Sequence, residues 1–267
     1  MTKPVKVLCV GGSDSSGGAG IQADLKAVSA CGCYGLTVVT AVTVQNTRGV
    51  QTIHPVPQKF IVAQLDAVLT DIGADALKTG MLLTAGAVLS VAGKIKEYAL
   101  KNVVVDPVMV AKGGHYLMQE NARKALMDKL LPLALVITPN IPEAESLCGL
   151  RIKSLDSMKK AAVLIHKMGP KNVLIKGGHL PGGKHSDVID ILYDGNRYYE
   201  FIASRIDTKD THGTGCTFAS VLAAGLANGM NIVQAAAQAK SMVTEAIINS
   251  LRMGKGHGSV NVFGKFN

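Results

Sequence analysis

The residues of this chain whose types and spacing best suit chemistry lie at positions 207–217. Gly213 and Gly215 lack side chains there, Cys216 follows them, and an apolar, Ala-rich segment at 218–226 predicts a helix. Glycine lets backbone amides approach a ligand closely, and a helix start gathers unpaired N–H groups at the positive end of its dipole. The run is therefore predicted to bind an anion. Cys216, in the first turn, is expected to favour its thiolate, although a helix cap with a core cysteine would give the same pattern.

Two carboxylates, Asp106 and Glu143, each follow a predicted strand and are candidates for a metal site. Ligands of open α/β sheets lie at the carboxyl ends of the strands, so both side chains are expected on adjacent strand ends. Mg²⁺ typically takes one or two carboxylates together with nucleotide phosphates. Asn140, three residues before Glu143, leaves open a capping arrangement at a helix start. Lys176 follows a further strand and is placed to reach a phosphate, and the Gly- and Lys-rich residues 179–186 are expected to cover a nucleotide.

A glycine-rich loop predicted at residues 11–20 follows the first strand but does not match the known phosphate-binding fingerprints. Gly18-Ala19 stands where a Walker loop requires Lys followed by Ser or Thr. The same glycines loosely match a dinucleotide fingerprint, but the acidic residue expected about twenty positions later is missing. The glycines are therefore interpreted as room for a substrate to pack against the backbone.

Side chains suited to a flat nitrogen-containing ring follow the first three strands. Asp24, one turn into the next helix, is expected to point into the pocket, although a surface carboxylate beside Lys26 would fit the same position. Gln45 offers a donor and an acceptor together, as a ring nitrogen beside an amine requires. Met81 would form an apolar wall for the ring or a part of the core. With the metal and anion sites, these residues predict phosphoryl transfer from a nucleotide.

The elements that must position these residues alternate between strand and helix over most of the chain. Apolar, β-branched runs predict strands, and apolar spacing of three and four predicts helices. The strands are predicted at 5–10, 36–44, 74–78, 103–105, 135–137 and 173–175, and the helices at 21–31, 58–70, 85–98, 120–131, 142–147 and 155–168. This alternation predicts a mostly parallel sheet with helices on both faces.

The last third of the chain breaks the alternation. Residues 187–193 and 197–203, joined across Asp194-Gly195-Asn196, predict a β-hairpin. Two helices, at about 215–227 and 232–250, are predicted to close the fold. With neither an internal repeat nor a linker in the sequence, residues 1–267 are expected to form a single domain.

Composition limits the classes of function. The chain has 267 residues, of which 48 % are hydrophobic, so it can bury a full core. Aromatic residues make up 4 % and Trp is absent, which argues against a nucleic-acid groove. The net charge of +9 suits anionic ligands, yet Lys and Arg are scattered and form no block. No apolar run in the sequence reaches the length of a membrane span.

Five cysteines, an odd number, occur without a signal peptide at the start of the sequence. We therefore expect free thiols in a reducing cytoplasm. Cys31 and Cys33 lack a second ligand pair, which argues against a zinc site.

Seven segments form a motif set that extends over nearly the whole chain: residues 12–26 (GSDSSGGAGIQADLK), 40–47 (TAVTVQNT), 78–81 (KTGM), 105–109 (VDPVM), 138–144 (TPNIPEA), 176–179 (KGGH) and 211–217 (THGTGCT). This set resembles the hydroxymethylpyrimidine/phosphomethylpyrimidine kinases of thiamine biosynthesis, in the ribokinase-like superfamily. The resemblance implies a three-layer α/β/α sandwich. It also implies that ATP phosphorylates 4-amino-5-hydroxymethyl-2-methylpyrimidine and then its monophosphate, which becomes the diphosphate.

The resemblance also implies roles for individual residues. The pyrimidine pocket would be formed by Gly12, Asp24, Gln45, Met81 and Val108. Asp106 and Glu143 would serve Mg²⁺ and ATP, with phosphates near Asn140, Lys176 and Thr214. Gly213, Gly215 and Cys216 would form the anion hole, with Cys216 as the catalytic residue where related sugar kinases carry Asp. A homodimer is the expected assembly, with neither nucleic acid nor a membrane as partner.

One departure from the family pattern lies near the end of the chain, where Ser259 and Asn261 replace a usual Pro and His. It puts in doubt a role for the tail but not the reaction. The alternatives are a pyridoxal kinase of the same superfamily and a sensor that binds the precursor without turnover. Gln45 favours the pyrimidine, because its amide can match an aminopyrimidine edge whereas pyridoxal offers a phenolic oxygen.

Overall fold

The computed structural model describes residues 3–109, 118–180 and 186–264, which form nine strands in one sheet. The strands are β1 (Lys6–Asp14), β2 (Tyr34–Asn46), β3 (Gly49–Pro55), β4 (Ala76–Thr79), β5 (Val103–Val105), β6 (Val136–Ile137), β7 (Asn172–Ile175), β8 (Asp187–Tyr193) and β9 (Tyr198–Ser204). Their order in the sheet is β3-β2-β1-β4-β5-β6-β7-β8-β9. From β2 to β7 the neighbouring strands pair in parallel, and β3, β8 and β9 are antiparallel additions.

Helices cover both faces of this sheet. They are α1 (Gly20–Ala30), α2 (Gln58–Asp71), α3 (Ala85–Glu97), α4 (Glu120–Ala125), α5 (Ile141–Cys148), α6 (Leu155–His166), α7 (Thr214–Ala227) and α8 (Ile232–Ile248). One apolar core packs α1, α7 and α8 against one face, and a second packs α2 to α6 against the other. The predicted three-layer sandwich, with a hairpin and two helices at the end, is confirmed. That residues 1–267 form a single domain stays a prediction.

The order of the strands creates the place for a ligand. From β1 the chain adds β2 and β3 on one side and then returns to add β4 on the other side of β1. In open α/β sheets the crevice lies outside the carboxyl ends of the strands at such a reversal. The loops after β1, β2, β4, β5, β6 and β7 therefore meet at one edge. In the described ranges, no helix has the length and apolar character that a membrane span requires.

The structure differs from the prediction at three places. β3 was not predicted, because Gly49–Pro55 is mostly exposed and has no alternating apolar face; its backbone pairs with β2. β1 continues to Asp14, so the first part of the predicted glycine loop is strand, with a register shift between Gly11 and Gly12. The helix predicted at 120–131 ends early. It widens into a π turn at Leu126–Leu130 and tightens at Leu131–Leu133, where Pro132 has no N–H to donate.

Candidate active site

A cavity of about 770 Å³ opens at the carboxyl ends of the parallel strands. Every site residue predicted from the sequence lines it: Gly12, Asp24, Gln45, Met81, Asp106, Val108, Asn140, Glu143, Lys176, Gly213, Thr214, Gly215 and Cys216. These residues come from the ends of β1 and β2, the loops after β4, β5, β6 and β7, and the helices α1, α5 and α7 with the residue before α7. The topology of the sheet thus brings together groups that lie up to two hundred residues apart in the sequence. Of the predicted cover at 179–186, residues 181–185 lie outside the described ranges.

The start of α7 forms part of the cavity wall. Gly213 precedes the helix with φ 85°, and a side chain there would collide with the carbonyl oxygen of Gly18, so only glycine fits. A Cβ atom on Gly215 would lie 3.3 Å from Lys176 Nζ and 3.8 Å from Asp106 Oδ2. The Thr214 hydroxyl donates to the Thr211 carbonyl oxygen at 2.6 Å and closes the turn. The positive end of the α7 dipole therefore lies beside a lysine ammonium group.

The expected thiolate of Cys216 is wrong. Burial raises the pKa of this thiol to about 11, and the Asp24 and Asp106 carboxylates act in the same direction. Lys78 and a hydrogen bond from the Gly20 backbone lower the pKa by less. The position at a helix start is outweighed by desolvation, which disfavours any charged form. Cys216 is thus a neutral thiol in the protein without ligands.

The candidate metal carboxylates are close enough to influence one another. Asp106 Oδ1 accepts hydrogen bonds from Lys176 Nζ at 3.0 Å and from the Thr138 hydroxyl at 3.3 Å. Burial raises the pKa of Glu143 to about 7; Lys176 opposes this rise and the Asp106 charge adds to it. Burial lowers the pKa of Lys176, but Asp106 and Glu143 together hold it above its usual value. Lys176 therefore carries its positive charge between two carboxylates.

Asn140 and Glu143 form the capping box that the sequence left open as an alternative. The Asn140 amide oxygen accepts from the Glu143 N–H at 2.9 Å, and Glu143 Oε2 accepts from the Asn140 N–H at 2.9 Å. The cap does not exclude a metal role, because it fixes the Glu143 carboxylate at the cavity wall beside Asp106.

The part of the cavity proposed for a flat ring, the ring recess, is lined by Gly12 of β1, Gln45 of β2 and Met81 after β4. A side chain on Gly12 would strike the Met81 methyl group, so the glycine lets that methionine pack against the β1 backbone as an apolar wall of the cavity. The Thr40 hydroxyl donates to the Met81 carbonyl oxygen at 2.6 Å and fixes this wall. Gln45 lies at the other side, with its Nε2 3.3 Å from His212 Nε2. Val108 is half-buried and completes the apolar lining.

Asp24 is fully buried, so the alternative of a surface carboxylate beside Lys26 is wrong. Asp24 Oδ1 accepts from Lys78 Nζ at 2.7 Å and from the Ser220 hydroxyl at 2.8 Å. Its other oxygen, Oδ2, has no hydrogen-bond partner among the described residues. Burial lowers the pKa of Lys78, but the Asp24, Cys216 and Asp106 groups raise it well above its usual value, so the ammonium stays charged. Asp24 thus joins β4 to α7 and retains one acceptor at the cavity floor.

Three residues that line the cavity had no role in the sequence-based prediction. Lys78 stood in a quoted motif without a role, although it is buried under the cavity. Asp14 and His212 are also in quoted motifs, and the structure joins them at 2.8 Å across 198 positions of sequence. Burial would raise the pKa of Asp14, but hydrogen bonds from His212, Ser16 and the Ala19 N–H lower it to about 2. The only signal in the sequence was that these residues lie inside the motifs, because the contact between Asp14 and His212 joins positions far apart in the chain.

The tail that departs from the family pattern packs against the site. The Gly258 N–H donates to Asp210 Oδ1 at 2.7 Å, and the His257 N–H donates to the Thr47 carbonyl oxygen at 2.8 Å. Ser259 forms a β-bridge with His212. The tail therefore joins the end of β2 to the loop before α7, and Ser259 is compatible with that contact.

The comparisons with known proteins agree with this geometry. The family model described as phosphomethylpyrimidine kinase matches residues 14–261. The chain belongs to this family. Among its relatives, hydroxymethylpyrimidine/phosphomethylpyrimidine kinase of Bacillus subtilis is 48 % identical over 258 residues, which cover 97 % of this chain and 94 % of the relative. Thiamine biosynthesis bifunctional protein ThiED of Geobacter sulfurreducens is 53 % identical over 96 % of this chain, which spans 51 % of that longer protein.

Solved structures of the family superpose over most of the chain. Phosphomethylpyrimidine kinase from Clostridium difficile is 43 % identical and has a TM-score of 0.80, with 91 % of this chain and 99 % of that chain covered. An ADP complex of Bacillus subtilis pyridoxal kinase is 42 % identical and has a TM-score of 0.89, with 97 % of both chains covered. The resemblance seen in the sequence is confirmed, and both a pyrimidine kinase and a pyridoxal kinase share this backbone.

Proposed function

We propose that this chain is an ATP-dependent kinase of thiamine biosynthesis. It phosphorylates 4-amino-5-hydroxymethyl-2-methylpyrimidine to the monophosphate and then phosphorylates the monophosphate to the diphosphate. The observation that carries this proposal is the space beside Gly215 in the first turn of α7, which Lys176 Nζ and Asp106 Oδ2 border. That space lies in the same cavity as the recess lined by Gly12, Gln45 and Met81, so a ring hydroxyl and a phosphoryl group can meet there.

The chain's own groups suit phosphoryl transfer. Catalysis of this reaction is mostly positioning and electrostatic stabilisation of charge on the transferred group. The start of α7 and the Lys176 ammonium border the same space beside Gly215 and would hold that charge without reorganising. Cys216, with its pKa raised by burial to about 11, keeps its proton. It therefore acts as a hydrogen-bonding group that orients the acceptor, not as a strong base.

Asp106 and Glu143 fit a magnesium ion. Both offer the hard carboxylate oxygens that Mg²⁺ prefers, and their mutual repulsion helps raise the pKa of Glu143 to about 7, after the larger effect of burial. A bound cation would neutralise charge on the nucleotide phosphates. We propose that these two carboxylates hold Mg²⁺ with ATP, while Asn140 and Thr214 line the phosphate path.

Pyridoxal phosphorylation is the second candidate activity. It is favoured by the superposition on Bacillus subtilis pyridoxal kinase, whose TM-score of 0.89 exceeds the 0.80 of the Clostridium difficile phosphomethylpyrimidine kinase. Gln45 favours the pyrimidine, since its amide carries both a donor and an acceptor at the recess.

An ADP-release assay with the hydroxymethylpyrimidine, its monophosphate and pyridoxal separates the candidates. We expect turnover with the first two substrates. Turnover with pyridoxal alone would establish the second candidate instead. Tight binding of the pyrimidine without ADP release would indicate a sensor and overturn the kinase proposal.

The assembly and compartment are also proposals. Val42 and Val44 share one face of β2 and are 49 % and 51 % exposed, next to the antiparallel β3. We propose that this apolar pair is covered by a second copy of the chain in a homodimer. We also propose a reducing cytoplasm as the compartment, because all five cysteines are free. Sedimentation of the wild type and of the double variant Val42→Lys/Val44→Lys tests the dimer; a monomeric wild type at micromolar concentration would refute it.

A further inference from the structure

A second buried ion pair lines the cavity on the Lys176 side. Asp190 in β8 and Lys240 in α8 are 4 % and 9 % exposed, and Lys240 Nζ lies 2.9 Å from Asp190 Oδ2. Lys240 also donates to the Val188 carbonyl oxygen at 3.0 Å. Removing two charges from water is costly unless their remaining polar atoms are satisfied. Neither residue belongs to the groups to which the proposed reaction assigns a role.

The other oxygen of Asp190 reaches the backbone that carries Lys176. Asp190 Oδ1 accepts a hydrogen bond from the Gly177 N–H at 2.8 Å. Gly177 packs so closely on β8 that a side chain there would collide with the Ile189 carbonyl oxygen. A charged acceptor makes this hydrogen bond stronger than a neutral one would. The turn after β7 is thus docked on β8 through one carboxylate.

Lys176 is held on both sides of its Cα atom. Its own N–H donates to the Pro139 carbonyl oxygen at 2.9 Å, and the next N–H in the chain is the one bound by Asp190. Its ammonium group then reaches Asp106 at 3.0 Å. A shift of the turn away from β8 would move the ammonium relative to the start of α7.

We propose that the Asp190–Lys240 pair is a positioning device for Lys176, which sets the affinity for the nucleotide phosphates. Lys240 neutralises Asp190, so that Asp190 binds the Gly177 N–H without attracting the Lys176 ammonium away from Asp106. Asp190 and Lys240 do not act on the transferred group directly; they act through the turn after β7 that carries Lys176. This inference rests on the proposed role of Lys176 in phosphate binding, but not on the identity of the acceptor.

Three variants separate positioning from general stability. Lys240→Met leaves Asp190 without its counter-ion, and we expect about tenfold weaker ADP binding by calorimetry and a similar rise in the KM for ATP. The KM for the acceptor should stay within about twofold, because the ring recess is formed by other strands. Asp190→Asn combined with Lys240→Met removes both charges and keeps an acceptor for the Gly177 N–H. This double variant should recover ADP affinity to within about threefold of the wild type.

Lys240→Arg keeps the charge and should bind ADP nearly as the wild type does, which also provides a folded variant if Lys240→Met does not fold. Lys159→Met is the matched control, since it breaks the 2.8 Å pair of Lys159 with Glu200 outside the cavity. It should leave both KM values unchanged. The proposal is overturned if the double variant binds ADP as weakly as Lys240→Met, or if the KM values for both substrates rise together. ADP binding does not depend on the acceptor, so failure of the pyrimidine activity would be seen separately.

Discussion

Adding one methyl group at Gly215 should separate stability from activity in this protein. Gly215 lies in the first turn of α7 without a positive φ, so alanine is compatible with its backbone. The new Cβ atom would lie 3.3 Å from Lys176 Nζ and 3.8 Å from Asp106 Oδ2, which is the space proposed for the transferred phosphoryl group. Lys176 has a flexible side chain that can yield by a few tenths of an ångström. Gly215→Ala should therefore fold well and fail in catalysis.

Gly215→Ala should raise the stability slightly and lower kcat strongly. Replacing glycine by alanine within a helix stabilises it by up to about 1 kcal/mol, which corresponds to a rise in Tm of about 2 °C for a chain of this size. Losing one electrostatic contact to the transition state in a preorganised anion site costs about 100- to 1000-fold in kcat. We expect kcat to fall by about 100-fold or more, while the affinity for the acceptor changes little because the ring recess is lined by residues of other elements.

Initial rates of ADP release and thermal unfolding measure both effects on the same preparation. Gly93→Ala in α3 is the matched control, because a Cβ atom there meets nothing within 4 Å. It should raise Tm by a similar amount and leave kcat unchanged. If Gly215→Ala retains kcat within about threefold of the wild type, the phosphoryl group does not pass beside Gly215 and the proposed geometry is wrong.

Two further predictions concern neighbouring groups. Cys216→Ala should lower kcat by about 100-fold while ATP binding, measured by calorimetry, changes far less, because the thiol orients the acceptor and does not hold the nucleotide; near-normal turnover would exclude that role. Asp14→Asn should lower the free energy of unfolding at pH 7 by about 2 kcal/mol, since the native pKa of Asp14 is about 2, against an ordinary value of 3.8. Because this pKa is depressed, the stabilisation is present above pH 4 and is lost as the pH falls from about 4 to about 2. Urea unfolding of both proteins at several pH values should show the difference shrinking over that range, and a constant difference would contradict the assignment to Asp14.

Much of the fold could be predicted because its apolar patterns are strong and local. Val103–Val105 is a wholly buried strand, and its predicted bounds match the structure. β3 could not be found this way, since it joins the sheet through its backbone while most of its side chains face water. The early end of α4 is likewise set by the chain after it, where Pro132 changes the hydrogen-bond pattern.

The sequence predicts which residues line the site, but not the contacts between them. Each predicted residue lies at or after the end of a strand or near the start of a helix, and the topology rule for open sheets places all of them at one edge. Their charge states depend on partners from other elements, which sequence spacing does not reveal. Burial raises the pKa of Cys216, so the thiol is neutral instead of the expected thiolate. The place of Lys78 in the site is visible only once Asp24 and α7 are packed around it.

The neutral thiol of Cys216 leads to a prediction about the two phosphorylations. Its pKa is raised by burial and by Asp24 and Asp106, so this position disfavours a further negative charge. A carboxylate at residue 216 would sit where the acceptor approaches, and it would repel the monophosphate, which is an anion, more than the uncharged hydroxymethyl compound. Cys216→Asp should therefore retain the first phosphorylation better than the second, by about tenfold in the ratio of the two kcat/KM values. The control is Cys216→Ser, which adds no charge and should lower both steps by the same factor. Equal losses in Cys216→Asp would show that charge at this position does not govern the choice between the two acceptors.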